Sequence, residues 1–413
     1  MSKTRQKESD FLVGVDIGTS KVAVVIGEVK SNRSVHVVGF GLAPCRGLKR
    51  GVVINIEATV AAIRSAISKA EEMACYSVDK CYAGIAGGHV RSLNSHGVVA
   101  ICDQEVSKED INRVIDAARA VVIPSDQQIL HILPKEYTID EQSGIKEPSG
   151  MSGVRLQARV HIVFGAENAV QNIVKCIQYC ELNVTDIILE QLASSYAVLT
   201  EDEKELGVCL IDIGGGTTDI AIFTAGSISH TIVVPIAGDQ VTNDIAVAFR
   251  TPTDKAEDLK ISYGVALPEF TSETDQVPVI SVGNRPVRKI LSSDLATVCS
   301  ARFEEIFRIV RNEVTRAVAL DSLTAGIVLT GGASQMKGVS ELAESIFQLP
   351  VRFGVPERVT GLVDIMKNPC FSTGIGLLLY GDLKRHDSPD YGGFSLRRLS
   401  FWSRLRSWFL STF

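Results

Sequence analysis

Two stretches of this chain echo each other, and the echo restricts the fold more than any other feature does. "LVGVDIGTSKVAVVIGEV" begins at Leu12 and "GVCLIDIGGGTTDIAIFTAG" at Gly207. Each has an apolar strand ending near an aspartate, a glycine-containing turn with small hydroxyl residues, and a second apolar strand. Asp16 and Asp212 hold the same place in the two copies. Similar hairpins half a chain apart imply a duplicated α/β domain.

The surrounding sequence agrees. Ile56, Val60, Ile63, Ile67 and Ala70 keep a helical period, as do Val170, Ile173 and Ile177, and later Phe303, Ile306, Val310 and Val314. Strand-like runs stand at "CYAGIA", "ARVHIVF", "HTIVVPI" and "AGIVLT". Strands alternating with helices predict helices layered over mixed sheets. Residues 86–163 differ in texture: two extended runs, a helix opened by "SKED" with Ser107 as N-cap, and the Gly/Pro-rich "EQSGIKEPSGMSG". This reads as an inserted subdomain, expected to contact partners or other copies of the chain. A second insertion is expected over about 240–310, with "TSETDQVPVISVGNRP" as a loop. "KRHDSPDYGG" after Leu383 reads as a polar linker.

Composition excludes several functions. The chain has 413 residues and a net charge of −6. Its last twenty residues hold Arg397, Arg398, Arg404 and Arg406 and no acid; the remainder carries 38 basic against 48 acidic residues, a net −10. Such a body is a poor nucleic-acid binder. The nine cysteines include no CxxC, and Cys176 and Cys180 are expected on one buried helix face. The seven histidines show no zinc-ligand spacing. "MSKTRQKESD" is not a secretory signal, and no run of about eighteen apolar residues predicts a membrane-spanning helix.

The turns have a chemical use. Without Cβ atoms, successive backbone N–H groups can converge on an anion. Gly214, Gly215 and Gly216 can form such a nest, with Thr217 and Thr218 adding donors. Gly18, Thr19 and Ser20 offer the same, and Lys21 adds an ammonium. Asp16 and Asp212 suit Mg²⁺ held through waters, because Mg²⁺ takes one or two carboxylates together with substrate phosphates. In "AGIVLTGGASQMKG" a buried strand ends at Gly331 and Gly332, where a flat base can approach the backbone. Neither GxxxxGK[ST] nor a GxGxxG opening a βαβ unit is present.

In the order "DIGTSK", "ILEQLASSYAV", "DIGGGTTD", "LTGGAS" and "CFSTGIGLLLYG", the chain resembles the actin/Hsp70/sugar-kinase ATPase superfamily. "LHILPKEYTIDEQSGIKEPSGMSGVRL", "RTPTDKAEDLK" and the amphipathic tail narrow the resemblance to the FtsA family of bacterial cell-division proteins, over essentially the whole length. The resemblance implies actin-like, ribonuclease H-like duplicated domains around a nucleotide cleft. Subdomain 1A would take residues 1–85 and 164–198, with 366–383 returning to it. Subdomain 1C would be 86–163, 2A would be 199–239 and 311–365, and 2B would be 240–310, with 384–395 as linker. It implies ATP and Mg²⁺ as cofactors and at most slow hydrolysis, with Glu190 orienting the attacking water and Glu257 and Lys260 flanking adenine and ribose. Gly264 replaces the small hydroxyl residue found in the Hsp70 branch. The implied function is a scaffold that polymerises with itself, tethers the tubulin-like FtsZ to the cytoplasmic face of the inner membrane at the division site, and recruits later division proteins. A soluble kinase or phosphatase of the same superfamily is the alternative. A chaperone is not, because no substrate-binding domain follows the ATPase core.

The tail sets the tethering scaffold apart from the kinase. On a helix at 100° per residue, Leu396, Leu399, Trp402, Leu405, Phe409, Leu410 and Phe413 share one face, with Ser400, Ser403, Arg404 and Ser407 opposite. Arg398 and Arg406 fall within the apolar arc and can snorkel. Crossing a bilayer would cost about 2.5–3.5 kcal/mol for each central arginine. Residues 396–413 are therefore expected to lie in the interface, with the rings among the headgroups and the arginines on anionic lipid. At about 1 kcal/mol per arginine the charge term is roughly 4 kcal/mol, a reversible attachment that filaments would multiply through avidity.

Overall fold

The computed structural model describes residues 11–30, 34–272, 274–283, 286–362 and 367–386. The tail residues Leu399, Trp402, Arg404, Leu405, Arg406 and Phe409 lie outside them.

The repeated hairpins seed two sheets of the same plan. In the first, Phe11–Ile17, Lys21–Val29 and Val35–Pro44 run as an antiparallel meander, and Lys80–Ile85 and Asn183–Leu189 add parallel strands beside the first. In the second, Val208–Ile213, Thr218–Thr224 and Ser227–Val234 form the meander, and Ile327–Thr330 and Val351–Phe353 are the parallel additions. Both read third, second, first, fourth, fifth across the sheet. Phe11–Ile17 and Val208–Ile213 are buried nearly throughout, which fits strands covered on both faces. Helix Ile56–Ala74 packs on the first sheet through Ala62, Ile63, Ala66, Ile67 and Ala70.

The chain returns to the first sheet early. Val359–Gly361 pairs in parallel with Val35–Pro44, ahead of residue 366, where the return was expected. The last helix, Ser372–His386, continues three residues beyond Leu383 into the expected linker, and the Arg385 guanidinium donates to the Phe11 carbonyl at 2.6 Å.

Between the first sheet's fourth and fifth strands sits a separate sheet in the order Arg91–Ala100, Arg155–Ala166, Gln127–Ile139, Gln142–Ile145. Helix Lys108–Arg119 covers it with Ile111, Val114, Ile115 and Ala118. Ser107 caps that helix as expected, in a capping box with Asp110. Most of the insertion's apolar residues form a core of their own, while Val90, Leu130 and Val163 join the core built around the first sheet. In the second half, helices Gly238–Phe249, Thr253–Tyr263 and Ser292–Ala317 pack with a short hairpin, Gln276–Val279 and Arg288–Leu291. The expected loop over 271–286 thus contains a strand: Val277 and Val279 are buried on alternate positions, a signal shortened by Pro278. Cys176 is buried, but Cys180 lies in the turn past helix Glu167–Gln178, partly exposed, with its thiol toward the Cys176 carbonyl.

Helices Glu190–Val198 and Ser372–His386 cross at the centre. A Cβ on Gly376 would stand 1.8 Å from the Ala193 carbonyl oxygen. Alanine there would gain about 1 kcal/mol of helix propensity. A backbone atom at that distance cannot step aside, so overpacking of about 1–3 kcal/mol or more should win. Gly376→Ala is expected to lower the melting temperature, and Gly376→Leu to lower it further, by thermal unfolding. An unchanged midpoint in both would mean that the helices cross more loosely.

Candidate functional site: a cleft between two facing turns

Each meander delivers its turn to the same cleft. Gly18 N–H donates to the Lys21 carbonyl at 2.9 Å, and Gly214 N–H to the Thr217 carbonyl at 3.0 Å, so the turns close alike. They meet face to face. A Cβ on Gly215 would lie 2.8 Å from Ser20 Oγ, and one on Gly216 2.4 Å from Thr19 Oγ1. Among the described residues, the backbone N–H groups of Thr19, Ser20, Gly215 and Gly216 have no hydrogen-bond partner. Thr19 Oγ1 accepts from Gly51 N–H at 3.1 Å, which fixes the turn to the neighbouring hairpin.

Gly331 and Gly332 line the cleft as well. Gly331 adopts φ +87°, and a Cβ there would strike Asp212 Oδ1 at 2.3 Å, so only glycine lets strand Ile327–Thr330 end against that carboxylate. Asp212 is held from two helices: Ser194 Oγ donates to its Oδ2 at 2.7 Å and Thr373 Oγ1 at 3.4 Å. Lys21 Nζ donates to the Cys370 carbonyl at 2.6 Å, tying the first turn to the short Pro369–Phe371 helix.

Asp16, Asp212, Asp219 and Glu190 all line the cleft. Burial pushes Asp16 up to about 6, with Lys21 opposing and Asp212 reinforcing. Burial raises Asp212 too, against hydrogen bonds from Ser194 and Thr373 and the charge of Lys21. Asp219 is pushed up to about 8 by burial, opposed by the Thr217 hydroxyl and reinforced by Asp212 and Asp16. Glu190 is raised well above the usual range by burial and by the charges of Asp16, Asp219 and Asp212. Asp219 Oδ2 accepts from Thr217 Oγ1 at 2.7 Å, while its buried Oδ1 has no partner. Crowded carboxylates with an orphaned oxygen suit a cation. No cluster of three or more acidic, histidine or cysteine groups among the described residues is disposed to ligate a metal directly. The crowded carboxylates and the unpartnered Asp219 oxygen fit a hydrated Mg²⁺, an ion that keeps several of its waters and takes few protein carboxylates directly.

The structure brings Gly18, Thr19, Ser20, Lys21, Gly214, Gly215, Gly216, Thr217, Gly331, Gly332, Asp16, Asp212 and Glu190 to one cleft. Glu257 and Lys260 are not among the residues that line it. They pair at 2.7 Å, Glu257 accepts from Thr242 Oγ1, and Lys260 donates to Thr242 Oγ1 at 2.9 Å and to the Gly238 carbonyl at 3.2 Å. Gly238 N–H in turn donates to the Gly214 carbonyl at 3.1 Å. The sequence reading missed Asp219, although it closes "DIGGGTTD": Ala23 takes its place in the first hairpin, so the comparison of the copies concealed it. Ser194 and Thr373 were missed because hydroxyl groups within helical runs carry no local sign of what they bond.

The fold is actin-like: duplicated halves with a cleft between them. The chain is similar to a structure of the PilM-PilN type IV pilus biogenesis complex, with a TM-score of 0.65, 17% identity and coverage of 90% of this chain and 98% of that one. It is also similar to MreB5 of Spiroplasma citri bound to ADP, at TM-score 0.57, 15% identity and 92% and 100% coverage. The MamK double helical filament gives 0.52, 14% and 92% and 99%. The family described as cell division protein FtsA matches residues 209–376, and the SHS2 domain inserted in FtsA matches residues 87–164. Cell division protein FtsA of Pseudomonas aeruginosa is 58% identical over 91% of this chain and 90% of that protein. The Neisseria meningitidis protein of that name is 49% identical over 96% and 99%, and the Escherichia coli (strain K12) protein 41% over 95% and 97%. The chain belongs to the FtsA family of cell division proteins.

The raised carboxylates have a consequence for stability. The folded state holds the Asp219 proton up to about pH 8, whereas the unfolded chain releases it near 3.8. The stabilisation this provides is fully present below about pH 4 and is lost progressively as pH rises through about 8. Asn cannot ionise. Without divalent cations, the melting temperature of Asp219→Asn should gain on the wild type as pH is raised from about 5 to about 8. A constant difference across that range would show that Asp219 titrates normally.

Proposed function

We propose that the chain binds ATP with Mg²⁺ in this cleft and serves as a cell-division scaffold on the cytoplasmic face of the inner membrane. The observation that carries the nucleotide reading is the pair of facing turns, whose free N–H groups and hydroxyls converge from the two halves. Thr19, Ser20, Lys21, Gly215, Gly216 and Thr217 would hold the phosphates, and Gly331 and Gly332 would admit the base. Asp16 and Asp212 would hold the metal through its waters. Bound Mg²⁺ would neutralise phosphate charge beside four carboxylates that otherwise repel it. Glu190, kept basic by that cation, would orient water for slow hydrolysis. Glu257 and Lys260 would border the nucleoside through the Gly238 segment. One structural neighbour is an ADP complex and another a double helical filament; both support a nucleotide-binding chain that assembles with copies of itself.

The second half of the proposal concerns attachment. No described helix is long and apolar enough to cross a membrane. Residues 396–413 would lie on anionic lipid, and the body would tether FtsZ filaments there and recruit later division proteins. The subdomain assignment follows the same reading, with 86–163 as the partner- or self-contacting module.

Gly216→Val should wedge the turns apart and weaken ATP binding about 100-fold, roughly 2.8 kcal/mol, by calorimetry. Asp212→Ala should reduce the Mg²⁺ dependence of that binding. Unchanged affinity in both would sink the nucleotide reading. Separately, Trp402→Glu or removal of residues 396–413 should abolish flotation with anionic liposomes, and with it lipid recruitment of FtsZ, while ATP affinity is kept. A tailless chain that still floats would refute the attachment.

A further inference from the structure

The inserted domain grows from the first half but also touches the second. Its strands face Ser227–Val234, the edge strand of the second sheet. Ile228 and Val233 of that strand join the same apolar cluster as Leu130 and Leu133 of the insertion, and beside them runs a row of polar side chains; the contact does not extend the sheet. Ser92 Oγ donates to the Thr231 carbonyl at 3.0 Å, and Ser227 Oγ to the Lys135 carbonyl at 2.8 Å.

One chain of hydrogen bonds runs through the contact, and its direction can be assigned. His161 is fully buried, and burial holds it down to about 3, so its ring is neutral. Its Nδ1 faces Asn94 Oδ1 at 2.9 Å, an acceptor only, so Nδ1 carries the proton. Its Nε2 therefore accepts, and the Thr231 hydroxyl at 2.9 Å donates. Asn94 Nδ2 donates to His230 Nε2 at 3.4 Å, and His230 Nδ1–H donates to Ser229 Oγ at 3.0 Å. The chain leaves the edge strand at Thr231, passes through the insertion and returns at His230 and Ser229. Every link has one donor and one acceptor, so the two surfaces fit in one register.

That edge strand leads straight to the cleft. Thr218 Oγ1 donates to the Ile236 carbonyl at 2.7 Å, and Asp239 N–H donates to the Gly215 carbonyl at 2.7 Å. We propose that this polar seam is a latch through which occupancy of the cleft sets the position of the inserted domain. A ligand that shifts the Gly214–Gly216 turn pulls on Ser227–Val234, and the seam passes that shift to strand Arg91–Ala100. Nonpolar packing would let the surfaces slide, whereas a directional chain either holds its register or breaks.

The inference rests on ATP binding in the cleft, and its test separates the two. Hydrogen exchange is followed in the full chain with and without Mg²⁺-ATP, alongside calorimetric ATP affinity. In the wild type, ATP should slow exchange in both Ser227–Val234 and Arg91–Ala100. Thr231→Val removes the donor to His161; Ser92→Ala, at a half-exposed site, is the milder break. Both should still bind ATP and still slow exchange near the turns, but lose the response in Arg91–Ala100. If that response persists in both variants, or is absent in a wild type that binds ATP, the latch is overturned. A wild type that binds no ATP overturns the nucleotide reading, and the latch falls with it.

Discussion

The crossing of helices Glu190–Val198 and Ser372–His386 is the contact on which the rest of the molecule depends. It brings backbone against backbone at Gly376 and Ala193. Because no side chain intervenes, Ser194 on one helix and Thr373 on the other approach to 3.0 Å, and both reach the Asp212 carboxylate. That carboxylate belongs to the second sheet, whereas the last helix also packs on the first. One close crossing thus joins the two sheets and fixes a charged group of the cleft. A wider crossing would draw at least one hydroxyl off Asp212 and leave a buried carboxylate short of donors, at a cost of about 1–3 kcal/mol or more for a charged group.

The two halves share a plan but not their chemistry. In the first turn Lys21 stands where the second has Thr217, and Ala23 faces Asp16 where Asp219 faces Asp212. The first half therefore contributes a cation and the second an extra carboxyl group, which a bound cation would help to ionise. An anion entering from the first side meets an ammonium, and a cation entering from the second meets the unpaired Asp219 oxygen. Under the nucleotide reading, neither half alone would hold a phosphate and its metal together. This difference between the copies argues that the duplication gives the cleft two distinct walls, each with its own ligand chemistry.

How much of this was legible in the sequence follows the range of the interactions. The hairpins, the parallel strands Lys80–Ile85 and Ile327–Thr330 and helices such as Ser292–Ala317 were legible because periodicity and turn chemistry are local, whereas the parallel strands Asn183–Leu189 and Val351–Phe353 went unread. The glycine turns were legible because a phosphate nest is built from consecutive residues. The short strand Gln276–Val279 was not, since four residues with a proline carry almost no alternation. Asp219 was hidden by its difference from Ala23. The hydroxyl pair on Asp212 and the polar seam join residues far apart in the chain, as Ser194 and Thr373 do at 179 positions. No local pattern encodes such a contact.

Charge partition gives the architecture a further logic under the attachment reading. A body of net −10 is repelled by an anionic membrane, and four arginines at the far end are drawn to it. Both forces act over about 8 Å at physiological salt. The last described helix ends at His386, so nine residues, 387–395, separate it from the tail segment. A coil of nine residues would span roughly 16 Å on average. That would exceed the screening length, so an attached chain would keep its acidic body beyond the membrane's field and its arginines within it. A linker of three or four residues would reach only about 10 Å and would set repulsion of the body against attraction of the tail. Under the attachment reading length and charge would thus be coupled: the acidic body would tolerate the membrane because a linker of this length exceeds the distance over which its charge is felt.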